Sequence, residues 1–278
     1  MRCAGIRKEA GQAIGNWGLV SALLLLVCSC DRPLSEQFVP RLAVHGLLVA
    51  GPPARPGVYV NRTYAITEPF ERDFSGAEVL IWRAQDTWRL DERDTSYYYS
   101  TAELEARPFD EFRLRVTKPG LDTLYSRTVV PDRFSILYPT HGDTVGVGDS
   151  LVWTRSRFCK GYYMVLKEET REDTLYAAIP IPNESLPGMP YDTAVARIPM
   201  FFLNRENAGP FTLHLLACDT NYYDWIEALA RNRPGSDSAH VTGGVGVFGS
   251  VVQCSVRVFV RRDTSAIQPT GCALLDRQ

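Results

Sequence analysis

The chain lacks a long apolar run, a metal-ligand spacing and a block of like charge. A helix that crosses a bilayer needs about twenty consecutive apolar residues; the longest run here, Trp17 to Val27, has eleven. The four histidines, His45, His141, His214 and His240, are isolated from one another, and no Cys-x-x-Cys pair occurs. A zinc site therefore finds no ligand set. The Gly-x-Ser-x-Gly turn that exposes a hydrolase nucleophile is missing, as is the Asp-x-Asp-x-Asp-Gly loop that wraps calcium. The 30 basic and 32 acidic residues are interspersed and give a net charge of −2. That balance offers no electrostatic footprint for nucleic acid.

What is present is most distinctive at the N-terminus. A basic start (Arg2, Arg7, Lys8) precedes the apolar run, which ends in Val27-Cys28-Ser29-Cys30 and gives way to Asp31-Arg32-Pro33. Positive charge, a short apolar core and a small residue before the cut describe a secretory signal. An apolar core that stops at a cysteine is the pattern of a bacterial lipoprotein, with Cys30 lipidated as the new N-terminus. Cys28 is the poorer acceptor because bulky Val27 precedes it. The bland alternative is an ordinary signal peptide with an incidental cysteine. Two kinds of acyl attachment at Cys30, a diacylglyceryl group and an amide-linked chain, hold a protein firmly at a bilayer. Removing residues 1–29 takes away two net positive charges and leaves −4.

Residues 30–38 read as a polar tether. Beyond it, 45% hydrophobic and 11% aromatic residues are enough for a core. Short strand-like segments recur: Leu42 to Val49, Val58 to Val60, Ala77 to Trp82, Thr87 to Leu90, and Glu111 to Thr117 with Phe112, Leu114 and Val116 on one face. Strict alternation means one buried face and one wet one. Pro131 to Pro139 marks a junction. The second half continues with Asp149 to Trp153, Gly161 to Leu166, Thr193 to Leu203 and Phe211 to Cys218. One helix follows, capped by Asp219 or Thr220, with Tyr222, Tyr223, Ile226, Leu229 and Ala230 at helical spacing. After a glycine-rich turn, Ser250 to Val260 forms the last strand. The expectation is an all-β chain of two sandwiches. The first is a small one over residues 39–130. The second, over 131–262, resembles immunoglobulin and fibronectin type III domains, with Trp153 between the sheets and one inserted helix. A polar tail occupies 263–278.

Four cysteines remain after export and acylation: Cys159, Cys218, Cys254 and Cys272. An oxidising compartment permits disulfides among them; three pairings are possible, and buried free thiols are an equal alternative. Gly244 to Gly249 spells Gly-x-Gly-x-x-Gly, but no helix follows to receive a pyrophosphate. Its glycines fit a close backbone approach or a bulge, with Phe248 plugging the core. Glu168, Glu169, Glu172 and Asp173 read as a solvated hairpin tip rather than a glycosidase pair. The aromatic clusters Tyr97-Tyr98-Tyr99, Tyr162-Tyr163 and Tyr222-Tyr223-Trp225 serve mainly as core, with part of each facing outward because strand neighbours alternate. Trp82, Trp88 and Tyr98, with charged neighbours, are the expected binding face.

Three segments taken in order resemble a known family. They are Arg41 to Leu48 soon after the cysteine, the strand start Ser75-Gly76-Ala77-Glu78-Val79, and Asn221 to Trp225 followed by Thr242 to Gly249. Together they resemble the Bacteroidota envelope lipoproteins grouped as domain of unknown function 4249. The resemblance implies an exported, anchored β-rich protein that keeps company with outer-membrane transport systems, and it supplies no catalytic residues. The functional expectation is a non-enzymatic accessory or binding lipoprotein of the outer membrane, without cofactor or metal. Its partners are the membrane, through Cys30, and an outer-membrane β-barrel transporter. The competing classes are a carbohydrate-active or other hydrolase with an unfamiliar site, and a structural or adhesive spacer.

Overall fold

A computed structural model describes residues 38–70, 74–146, 148–168, 175–183, 192–197, 208–231 and 240–261. The expected signal, Cys30, the tether up to residue 37, most of the acidic hairpin tip and the polar tail lie outside them. The described residues from Pro40 onward make one compact unit.

The alternating segments of the first half become strands. They are β1 (Leu42–Ala50), β2 (Gly57–Arg62), β3 (Glu78–Arg83), β4 (Asp86–Asp94), β5 (Tyr97–Ser100), β6 (Glu111–Thr117) and β7 (Leu124–Val129). They hydrogen-bond in the order β1-β2-β5-β4-β3-β6-β7. Phe112, Leu114 and Val116 of β6 face inward as their spacing requires, because only one face of such a strand is apolar enough to leave water. The second half supplies β8 (Ile136–Tyr138), β9 (Thr144–Val145), β10 (Ser150–Thr154), β11 (Gly161–Glu168), β12 (Leu175–Pro182), β13 (Thr193–Arg197) and β14 (Gly209–Cys218). The helix α1 (Thr220–Ala230) comes next, then β15 (Val241–Thr242) and β16 (Gly244–Val260).

The all-β sandwich reading is what the chain adopts. A small sheet, β13-β10-β8, packs through β10 against β11 of the large sheet. Trp153 of β10 is 1% exposed. Its ring meets that of Tyr162 on β11 edge to face at 5.1 Å. One tryptophan thus spans the gap between layers, and such edge-to-face pairs add to the area they bury.

The last strand is longer than its sequence announces. Gly244 to Gly249, expected as a turn, is strand: it runs parallel to β1, from Leu42 against Gly244 to Ala50 against Val252. The far half of β16 is antiparallel to β14, from Cys218 against Val251 to Gly209 against Val260. One continuous thirteen-stranded sheet therefore crosses the 130/131 junction. Glycine clusters usually break strands, but here the missing side chains let two backbones touch. A Cβ on Gly244 would sit 2.6 Å from the Leu42 carbonyl oxygen, and one on Gly246 1.9 Å from that of Val44. The close approach expected of this segment is thus its role, and Phe248 is fully buried in the core beside Gly46.

Candidate functional site

The helix α1 lies on the outer face of the sheet, over positions where side chains are absent. A Cβ on Gly161 would strike the Tyr223 ring, and one on Gly249 would sit 2.7 Å from the Tyr222 Cβ. Tyr223 and Ile226 pack there with Cys218 and Val251 in a satellite core. Asp219 caps the helix, with its Oδ1 accepting from the Tyr222 backbone N–H at 2.9 Å. Its Oδ2 accepts from the Thr128 hydroxyl at 2.6 Å, and Thr128 Oγ1 also lies 2.7 Å from Ser250 Oγ. Asn221 donates to the carbonyls of Arg127 and Phe248 at 2.6 and 2.9 Å. The capping carboxylate and the amide thus tie α1 to β7 and β16.

Beside this knot opens a cavity of about 510 Å³, rimmed by Phe158, Lys160 and His240. Asp224 pairs with Lys160 and lies 2.7 Å from His240 Nε2. Cys159 lines the cavity, but burial pushes its thiol up to about 12. The thiol donates to the Gly161 carbonyl at 2.9 Å. A thiol held protonated is a poor nucleophile. The described polar groups here hold elements together.

Asp219 is 3% exposed. Burial, opposed by its hydrogen bonds, raises its pKa above the ordinary 3.8. The folded chain therefore binds this proton more tightly than the unfolded chain does. The stability linked to it is complete below the ordinary value and is lost as pH rises through the folded pKa. Asp219→Asn keeps a capping oxygen and cannot ionise. Urea unfolding at a series of pH values should show the variant gaining on the wild type from acid towards neutral pH. Parallel curves would contradict the account.

The cysteines carry free thiols at Cys159, Cys218 and Cys254, so no disulfide joins these three. Strand parity explains one separation. Cys254 pairs with Leu215 and shares its face, whereas Cys218, three residues on along β14, faces α1. Cys159 sits at the Cys218 end of the sheet. That is three residue steps from Cys254, or about 10 Å at strand rise, too far for a bridge. Cys272 lies outside the described residues. Among the described residues no group of three His, Cys, Asp or Glu could hold a metal ion.

The expected face of Trp82, Trp88 and Tyr98 does not exist as one surface. Tyr98 is 1% exposed, because it pairs with Val58 and shares that residue's inward face. Trp88 pairs with buried Ile81 and leans on the core, its ring 6.2 Å from that of Phe112. Trp82, one residue from Ile81, faces the other way and shares the outer face with Arg113. It lines an open concavity of about 690 Å³ with Arg113, Tyr125 and Arg127.

The outer face carries a second aromatic group, drawn from the Tyr97-Tyr98-Tyr99 cluster. Tyr97 and Tyr99 are 44% and 40% exposed. With Tyr59, His45, Leu47 and Gly57 they line a concavity of about 390 Å³. The parity of β5 decides which tyrosines show, and that parity is set by pairing with β2 rather than by anything local.

Residues 30–256 match the family model described as Domain of unknown function (DUF4249). No curated protein matches the chain. Among solved structures, a chimeric titin Z1Z2-Z1Z2 tandem is 13% identical, covering 81% of this chain and 97% of its own, with a TM-score of 0.21. The chicken CNTN1 FN1-FN3 domains are 11% identical, covering 80% and 67%, at 0.20. Trypsin-activated alpha-2-macroglobulin from Escherichia coli is 6% identical, covering 64% and 14%, at 0.23. At these TM-scores the likenesses carry no argument.

Proposed function

The chain belongs to the DUF4249 family, and from that premise we propose that it is a lipoprotein anchored through Cys30 that binds a ligand or partner on the outer face of its sheet and performs no covalent chemistry. One observation carries the binding role: exposed aromatic rings stand on an outer sheet face, while the buried polar groups beside the cavity at Phe158, Lys160 and His240 are committed to one another. Exposed aromatics on a fixed scaffold favour recognition. Groups already spent on capping and bridging do not favour catalysis.

The anchor rests on the eleven-residue apolar run that stops at Ser29-Cys30. A basic start and a run of that length suit export and cleavage. The place of action is the outer membrane of a Bacteroidota cell, and the role is accessory to a transport system built on a β-barrel. Metabolic labelling with a palmitate analogue tests the anchor: wild-type protein takes up label and Cys30→Ala takes up none. Equal labelling of the two would defeat the proposal.

A further inference from the structure

We infer that Tyr97, Tyr99 and Tyr59, with Asp91, form a subsite for a neutral saccharide; this names the ligand of the binding face proposed above and rests on that reading. Residues two apart in a strand share a face, roughly 6.7 Å from one another. The Tyr97 and Tyr99 rings follow that repeat, with centroids 6.4 Å apart and planes within 16°. The two rings are near-parallel neighbours and both reach the outer surface.

Neighbouring residues keep the two rings in place. Gly57 stands directly across from Tyr99, and a Cβ there would lie 2.6 Å from the ring. Any other residue would lift Tyr99 off the sheet. Tyr59 meets Tyr97 at 5.0 Å with a 59° tilt and forms a wall. The Tyr59 hydroxyl accepts from the buried Asn61 amide at 2.7 Å, which fixes its position before any ligand arrives. Preorganised side chains cost less to order on binding.

The rim decides the chemistry. Asp91 pairs with Tyr99 and Asp94 with Tyr97 across the β4–β5 ladder, and both are exposed. Their charge repels anions. A pyranose fits what remains. Its C–H face, slightly positive, lies on the negative faces of aromatic rings. Its equatorial hydroxyls project sideways, where carboxylate and phenol oxygens accept hydrogen bonds. A concavity of about 390 Å³ falls within the usual range for small-ligand sites.

Native gels cast with starch, a mixed-linkage β-glucan, xylan or galactomannan test this on the full, detergent-solubilised chain. At least one polysaccharide should retard the wild type. Tyr97→Ala and Tyr99→Ala should each weaken retardation about tenfold, a loss that one stacking contact and its ordered rim can supply. Tyr97→Phe, which keeps the ring, should retain most binding. Phe259→Ala, at an exposed aromatic residue elsewhere on β16, should behave as the wild type. Mobility unaffected by all four polymers, or alanine variants that bind like the wild type, overturns the saccharide. If the alanine variants instead lose a copurifying membrane protein, the saccharide is equally overturned while the binding face stands with a protein partner. If they lose neither, the binding face falls too.

Discussion

Gly246→Ala should leave the chain largely unable to fold. The residue has φ +108°, a conformation that strains any residue with a side chain by roughly 1–3 kcal/mol. Its Cβ would also land 1.9 Å from the Val44 carbonyl oxygen. That neighbour is backbone in the middle of a paired strand, so it cannot swing aside as a side-chain tip would. Forcing the strands apart adds about 1–3 kcal/mol of overpacking and costs ladder bonds as well. The total, about 2–6 kcal/mol before the lost ladder bonds, reaches the lower end of an ordinary domain's stability, about 5–15 kcal/mol. Gly142→Ala separates the two causes, since Gly142 has φ +88° with nothing within 4 Å of its missing side chain. It should cost only the dihedral strain. Circular dichroism and urea midpoints compare the two. Gly246→Ala as mild as Gly142→Ala would mean that β16 does not lie against β1.

Trp153→Ala should cost about 3–5 kcal/mol, the usual range for emptying a buried aromatic site. Trp153 is among the largest fully buried side chains and touches the Tyr162 ring from the facing sheet. The cavity would lie between two layers whose backbones are pinned by their own ladders, so collapse can recover little of the loss. The loss should also be felt by the whole chain. One half of β16 belongs with β1 and the other with β14, so the first and second halves share a strand. Unfolding of the variant should remain one cooperative transition at a lower denaturant concentration, whether followed by far-ultraviolet dichroism or by tryptophan fluorescence. A first half that stayed folded after the second had melted would contradict this.

The features legible in the sequence were those set by near neighbours. Alternation in Phe112-Leu114-Val116 and in Phe211-Leu213-Leu215 places those side chains inward, because period-two patterning records which face is dry. Asp219 announces its helix through a capping oxygen three residues before the N–H that it accepts from. Trp153 could be placed between layers because a large ring on a short strand has few other places to go.

What stayed hidden depends on partners distant in the chain. The parallel pairing of β1 with β16 joins residues about 200 positions apart, and no local periodicity encodes it. Without that pairing Gly244 to Gly249 reads as a turn; with it the same glycines are what allows the strand. Within the Tyr97-Tyr98-Tyr99 cluster the sequence favours Tyr98 as the exposed member, whereas the structure buries it and exposes Tyr97 and Tyr99, because a one-residue change of parity reverses every face. Trp88 was misplaced for the same reason. Its charged neighbours Arg89 and Asp86 are exposed, but it shares the face of Ile81.

An anchored body that recognises rather than reacts is the core of this account, and its anchor can be weighed. Protein extracted from membranes with detergent and digested should yield an N-terminal peptide that begins at Cys30 and is heavier than its sequence by a diacylglyceryl group and one amide-linked acyl chain. A peptide that begins at Cys30 or beyond with no added mass, or one that retains residues 1–29, would contradict it.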